Sequence, residues 1–241
     1  MSPLLTALIA LQSIDSAAEV ARKRLAALPA EEQAIEAAVA AARAGSDGVN
    51  ARMAVNQEAR RSLEKDIAVV DARLARFDDH KAAVTTNQEY TALLHEIATA
   101  KADKDALEER LLILMEEHDS LAAELRAADQ AVAAEEAGGR ERRTALAAER
   151  TQLDADLARL AAERPRASAG ADARALALYE QLLKGRRGIA ITRLGGDICN
   201  ACHVRLRPHV AQQVRRNDSI VQCDSCQRIL YFIAPEPPPA A

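Results

Sequence analysis

The chain has no tryptophan, and three tyrosines and two phenylalanines make up its whole aromatic content, 2% of 241 residues. Aromatic side chains supply much of the burial in an ordinary globular core, so this composition argues against one compact globule. Cysteine is also scarce, and all four residues fall between Cys199 and Cys226. The apolar run Leu4-Leu5-Thr6-Ala7-Leu8-Ile9-Ala10-Leu11 has no basic region before it and no cleavage site after it. It is far shorter than the roughly 20 apolar residues that cross a bilayer. The expectation is a cytoplasmic protein with its thiols in reducing surroundings.

Alanine is abundant and 28% of the residues are charged. Charged residues and Ala/Leu at helical spacing point to long helices or coiled coil. Ser2 is a good N-cap and Pro3 suits a first helical position. Apolar residues then recur with a seven-residue period at Leu4, Ala7, Leu11, Ile14, Ala18, Ala21, Leu25, Leu28, Ile35, Val39 and Ala42, with Glu32 as the polar exception. Pro29 interrupts locally, and Gly45-Ser46-Asp47-Gly48 reads as a stronger break. A second stripe holds Leu63, Ile67, Val70, Leu74 and Phe77.

Thr86-Asn87-Gln88-Glu89 has the form of a capping box, so a new helix should start near Asn87. Its seam runs from Tyr90 through Leu93, Ile97, Ala100, Leu107, Leu111, Leu114, Leu121 and Leu125 to Val132. Gly138-Gly139 softens it, and Leu146, Leu153, Leu157 and Leu160 resume it up to Arg164-Pro165. The arms on either side of Thr86 are nearly equal, each about 110–120 Å long at 1.5 Å per residue. That favours an antiparallel hairpin. The alternative is a true turn at Gly45–Gly48 and a three-helix base.

The resulting plan is mainly α: a coiled-coil hairpin over 1–164 with its turn near 78–88, a linker and short helix over 165–185, a small cysteine domain over 186–234, and a disordered Pro-rich tail over 235–241. Within the third segment Ile189–Ile191 and Arg228–Ile233 read as strands, and Pro208–Arg216 reads as a helix.

Cys199-x2-Cys202-x20-Cys223-x2-Cys226 matches four-cysteine zinc spacing. A two-residue gap lets two thiolates converge on one ion, and two such knuckles complete a tetrahedron. The segment has too few apolar residues to fold unaided, and zinc binding supplies on the order of 10–16 kcal/mol in small zinc domains. Disulfides suit exported chains, and a redox Cys-x-x-Cys normally occurs alone. Four thiolates leave no open coordination position, so the predicted ion is one structural Zn2+. Arg205, Arg207 and Arg228 are placed to offset the thiolate charge. His203 and His209 lie between the knuckles and read as solvent-facing. His80, His95 and His118 are isolated on helices, and "LGGD" at 194–197 lacks the lysine of a phosphate loop. No catalytic residue set emerges.

Net charge is −4, unevenly divided: 184–234 holds nine Lys/Arg against three Asp, whereas 1–183 holds 23 basic and 32 acidic residues. Arg205, Arg207, Arg215 and Arg216 are therefore candidate nucleic-acid contacts. Asn87, Glu89 and Tyr90 at the predicted turn are candidate partner contacts, with a plain helix cap as the other reading.

A coiled coil, the "TNQEY" turn and "GGDICNACHVRLRP…VQCDSCQRILYF" together resemble the bacterial C4-type zinc-ribbon protein family. The resemblance implies an N-terminal coiled-coil hairpin with a C-terminal zinc ribbon. It also implies an adaptor role, because members in Helicobacter and Chlamydia are linked to flagellar or type III secretion components, to sigma-54 and in one case to RNA. Two functions follow as expectations: a non-enzymatic protein–protein adaptor, or an RNA- or DNA-binding regulator working through the basic ribbon.

Overall fold

The computed structural model describes residues 1–234. The tail predicted for 235–241 lies outside the described residues. The elements run α1 (Pro3–Lys81), α2 (Asn87–Ser168), α3 (Ala173–Gly185), β1 (Ile191–Gly195), β2 (Ile198–Cys199), α4 (Pro208–Arg216), β3 (Val221–Gln222) and β4 (Ile229–Tyr231). Ion pairs set α1 and α2 antiparallel: Arg24–Glu149, Arg43–Glu136, Arg52–Glu124 and Lys104–Asp71. The long helices form a coiled-coil hairpin.

The break expected at Gly45–Gly48 is absent, because α1 passes through it without interruption. A glycine inside a helix costs only about 1 kcal/mol, and the segment between the two is anchored. Ser46 is buried and its hydroxyl donates to Asp129 Oδ1 at 2.6 Å, while Val49 one turn on is also buried. This excludes the three-helix base. Pro29 is accommodated inside α1, and Pro165 inside α2. The helix therefore runs three residues beyond Pro165, where the linker was expected to begin.

The chain divides into two compact units, Met1–Glu32 with Thr144–Ala241, and Gln33–Arg143. In the unit Gln33–Arg143 the seam buries Ile35, Val49, Leu93, Ala100 and Leu121. Gly139 is a seam residue in its own right: a Cβ there would lie 3.1 Å from Ile35 Cγ2, so any larger residue requires the Ile35 side chain to shift by a few tenths of an ångström. Asn56 is buried too, donating to Leu114 O and Glu117 Oε2 at 3.0 Å each. At the turn, Thr86 Oγ1 accepts from Glu89 N at 3.3 Å, the Thr86 half of the capping box read from the sequence.

In the other unit, Ser2 Oγ caps α1 by accepting from Leu5 N, and Asp172 Oδ1 caps α3 by accepting from Ala175 N at 2.8 Å. The strands form one sheet in the order β2-β1-β4-β3, with β1 and β4 parallel and the other pairs antiparallel. Side chains alternate across it. Ile191 and Ile229 face the helices, sharing a core with Leu5, Leu8, Leu11, Tyr179 and Leu182. Leu194 and Leu230 face the opposite way, onto α4 and the cysteines.

Near its start α1 contains an 18-residue window apolar enough, at mean hydropathy 1.4, to cross a bilayer by length and composition. That window is longer than the short run singled out in the sequence. Leu5, Leu8 and Leu11, at that end of the helix, are fully buried against α3 and the sheet.

Candidate metal centre

The two Cys-x-x-Cys segments fold into the same knuckle. In the first, Cys199 N donates to Val204 O at 3.0 Å and His203 N donates to Cys199 O at 2.8 Å. In the second, Cys223 N donates to Arg228 O and Gln227 N to Cys223 O, both at 2.9 Å. In each, the residue after the second cysteine turns left-handed: His203 at φ 60° and Gln227 at φ 63°. That turn, commonly made by glycine, re-aims the chain so both sulfurs point inward. The β1–β2 hairpin presents the first knuckle. Its two-residue turn puts Gly196, φ 62°, at the first central position, where a right-twisted hairpin favours glycine.

The knuckles meet face to face. Cys199 Sγ lies 3.8 Å from Cys226 Sγ and Cys202 Sγ lies 3.7 Å from Cys223 Sγ. All four sulfurs lie within 4.8 Å of one another and none is in a disulfide. Tetrahedral zinc with Zn–S of about 2.3 Å requires sulfurs about 3.8 Å apart, so the cage fits that ion. Cys199, Cys223 and Cys226 are buried and Cys202 is half-buried. They share a small core with Leu194, Leu206, Val210, Ala211, Val214 and Leu230.

Without an ion, burial pushes the Cys199 thiol up to about 12 and also raises Cys223. Burial acts upward on Cys226 as well, but hydrogen bonds from the Arg228 backbone and side chain bring it down to about 7. A divalent cation ionises coordinated thiols outright, so metal uptake must release protons. The donor set supplies four sulfurs and leaves zinc no open position, which makes the chemistry structural.

The remaining predicted residues are dispersed. Arg205, Arg207 and Arg216 are exposed. Arg215 is engaged within the chain, donating to Asp197 Oδ1 at 2.7 Å and lying 5.8 Å from the Phe232 ring centroid. Arg228 donates to the carbonyls of Ile189 and Arg186 at 2.8 and 2.9 Å, so it ties the ribbon to its linker as well as facing Cys226. His203 and His209 are exposed. Asn87, Glu89 and Tyr90 are exposed at the start of α2.

Two positioning features had no signal in the sequence reading. Gln12 reaches from α1 to the chain entering β1: Oε1 accepts from Ala190 N at 2.6 Å and Ile191 N at 3.2 Å, and Nε2 donates to Gly188 O at 2.8 Å. Asp15 accepts from Arg164 Nε at 2.8 Å and from the fully buried Tyr179 hydroxyl at 2.9 Å. Both are polar residues beside the apolar stripe, where periodicity alone reads them as solvated.

A coiled-coil hairpin joined to a four-sulfur knuckle pair defines a zinc-binding coiled-coil protein. Residues 11–187 match the family described as the CT398-like coiled coil hairpin domain, and 198–230 match the C4-type zinc ribbon domain. The chain belongs to the CT398-like coiled-coil hairpin family. Neither description is that of a known enzyme family. No curated protein matches the sequence. Solved structures share the fold. CT398 from Chlamydia trachomatis aligns at TM-score 0.76 and 21% identity, over 95% of this chain and 98% of that one. A Mycobacterium smegmatis protein gives 0.59 and 23%, over 93% and 95%, and HP0958 from Helicobacter pylori gives 0.54 and 14%, over 95% and 96%.

Proposed function

We propose that this protein is a non-enzymatic cytoplasmic adaptor whose ribbon is shaped by one zinc ion held by Cys199, Cys202, Cys223 and Cys226. The observation that carries this reading is the closed sulfur cage, three of its four cysteines buried, which stabilises a surface and offers no site for a reacting group. Asn87, Glu89 and Tyr90 are the proposed contacts to a protein partner, for which the family resemblance suggests sigma-54 or a flagellar or secretion component. Tyr90 is 39% exposed although it is a large aromatic, which suits a contact residue. The test is capture of partners from the native host with the zinc-loaded chain and its Asn87→Ala/Tyr90→Ala variant. The adaptor reading expects capture to fall while the melting temperature holds. Equal losses assign these residues to the helix cap alone.

The second reading is RNA or DNA binding through the ribbon. It is favoured by Arg205, Arg207 and Arg216, which are exposed and have no acidic partner among the described residues. Arg215 contributes less, being paired with Asp197. Phe232 packs partly on the ribbon core and Tyr231 on the helical one, which leaves few aromatic faces for bases. Binding that is measurable at low salt and weakens steeply as salt rises supports this reading, and absence of binding at low salt ends it.

A further inference from the structure

The ribbon sheet has one face that the helices cover only in part. Residues paired across neighbouring strands point to the same side. The pairs Ile191↔Ile229, Arg193↔Tyr231 and Gly195↔Ile198, with the bridge Ile198↔Arg205, therefore put these side chains on one face. At its near end Ile191 and Ile229 are buried under α1 and α3. At the far end the cover runs out. Ile198 is 38% exposed, and Ile233, just past β4, is 46% exposed. Arg193 Nη2 donates to Ile233 O at 2.9 Å, which holds the two residues side by side. Asn200 adds a neutral amide, its Oδ1 2.5 Å from where a Cβ on Gly195 would lie.

The charge at this end has one sign. Arg205 is exposed and Arg193 is half-buried. Neither has an ion-pair partner among the described residues, and Arg193 Nε is shielded from solvent with no hydrogen-bond partner. The three acids of 186–234 do not neutralise them. Asp197 pairs with Arg215, Asp218 accepts from Ser219 Oγ at 3.0 Å, and Asp224 lies in the second knuckle.

Two uncompensated guanidinium groups beside two exposed isoleucines fit a surface that carries carboxylates next to apolar side chains. A nucleic-acid backbone would use the arginines but leave the isoleucines uncovered. The adjacent strands β2, β1 and β4 are about 10 Å across, roughly one helix diameter, and helices already pack on the near end of this face. We propose that the open end of the sheet docks an acidic amphipathic helix of a partner protein. Its apolar stripe lies on Ile198 and Ile233, and its carboxylates meet Arg193 and Arg205. This rests on the adaptor reading and supplies a second contact surface, separate from Asn87, Glu89 and Tyr90.

The test is fluorescence anisotropy of two synthetic helical peptides with the zinc-loaded full chain. Both carry leucine at i, i+3, i+4 and i+7 spacing, one flanked by glutamate and the other by lysine. The glutamate peptide should bind at least about tenfold more tightly. Arg205→Glu should remove most of that preference, and Arg193→Glu/Arg205→Glu should reverse it. Ile198→Asp should abolish binding of the glutamate peptide. Lys184→Glu makes the same charge change in the last turn of α3, before β1, and should leave binding as it was. Zinc content and circular dichroism check that each variant folds, and Arg205→Glu, at an exposed side chain, carries the test if Arg193→Glu does not. No binding, equal affinity for the two peptides, or a preference indifferent to Arg205→Glu overturns the proposal. So does an RNA oligonucleotide that binds and is lost in Arg205→Glu while neither peptide binds. Asn87→Ala/Tyr90→Ala should leave peptide binding unchanged, so failure here is distinct from failure of the partner capture that tests the adaptor reading.

Discussion

Gln12 joins α1 to the strand that carries the first knuckle, and its removal is a sharp test of how the ribbon is seated. Its amide accepts from Ala190 N and Ile191 N and donates to Gly188 O. Ala190 is fully buried and Ile191 is 3% exposed, so water cannot replace the lost acceptor. A buried donor left unsatisfied costs about 1–3 kcal/mol. Gln12→Met keeps the volume and removes the polar atoms. Two amides share one acceptor and the longer contact is the weaker, so the expected loss is about 2 kcal/mol. If the ribbon opens from the helices as a unit, that loss speeds exchange of the Ala190 and Ile191 amides about 30-fold, at about 1.4 kcal/mol per decade. Hydrogen exchange followed by mass spectrometry on the zinc-loaded protein reads this directly. Unchanged protection at 190–191 would refute the reasoning, because it would mean that the amides find another acceptor.

Two further outcomes are expected. His203 holds φ 60° in the first knuckle with its side chain exposed, and a left-handed non-glycine residue costs roughly 1 kcal/mol. His203→Gly should therefore stabilise the zinc-loaded ribbon by about that amount in denaturant unfolding, offset in part by the freer unfolded chain, and destabilisation would show that the imidazole has a role. Arg24 sits between Glu31 and Glu149, donating to Glu149 at 2.7 and 2.8 Å, and holds both carboxyls below the usual value of 4.5. A depressed folded-state value gives stability that is complete above about pH 4.5 and fades as pH falls through the lowered values. Melting temperature should drop in that window, and Arg24→Gln should flatten the drop.

Much of this architecture was legible in one repeat. The seam of α1 keeps 3-4 spacing from Leu25 to Phe77 without a stutter, yet Ser46, Asn56 and Arg60 occupy seam positions and interrupt the apolar signal. Ser46 and Asp47, between two glycines, suggested a break where the helix continues. At the start of α1 the stripe was misplaced by one residue. Leu4 and Ala7 were expected inside, but Leu5 and Leu8 are the fully buried ones. The heptad rule assumes one helical neighbour, whereas here α1 also packs on Tyr179, Ile191 and Ile229. The cage was legible because metal geometry constrains spacing. Gln12 and Asp15 were not, since their partners lie more than 140 residues away and share no local pattern with them.

The central claim is that four sulfurs hold one zinc and thereby shape the ribbon. Metal analysis of protein purified under reducing conditions, paired with hydrogen exchange across 190–232 before and after chelation, tests it most directly. One zinc per chain and loss of protection in that segment on chelation is the predicted result. Absence of stoichiometric metal, with protection unchanged by a strong chelator, would contradict it.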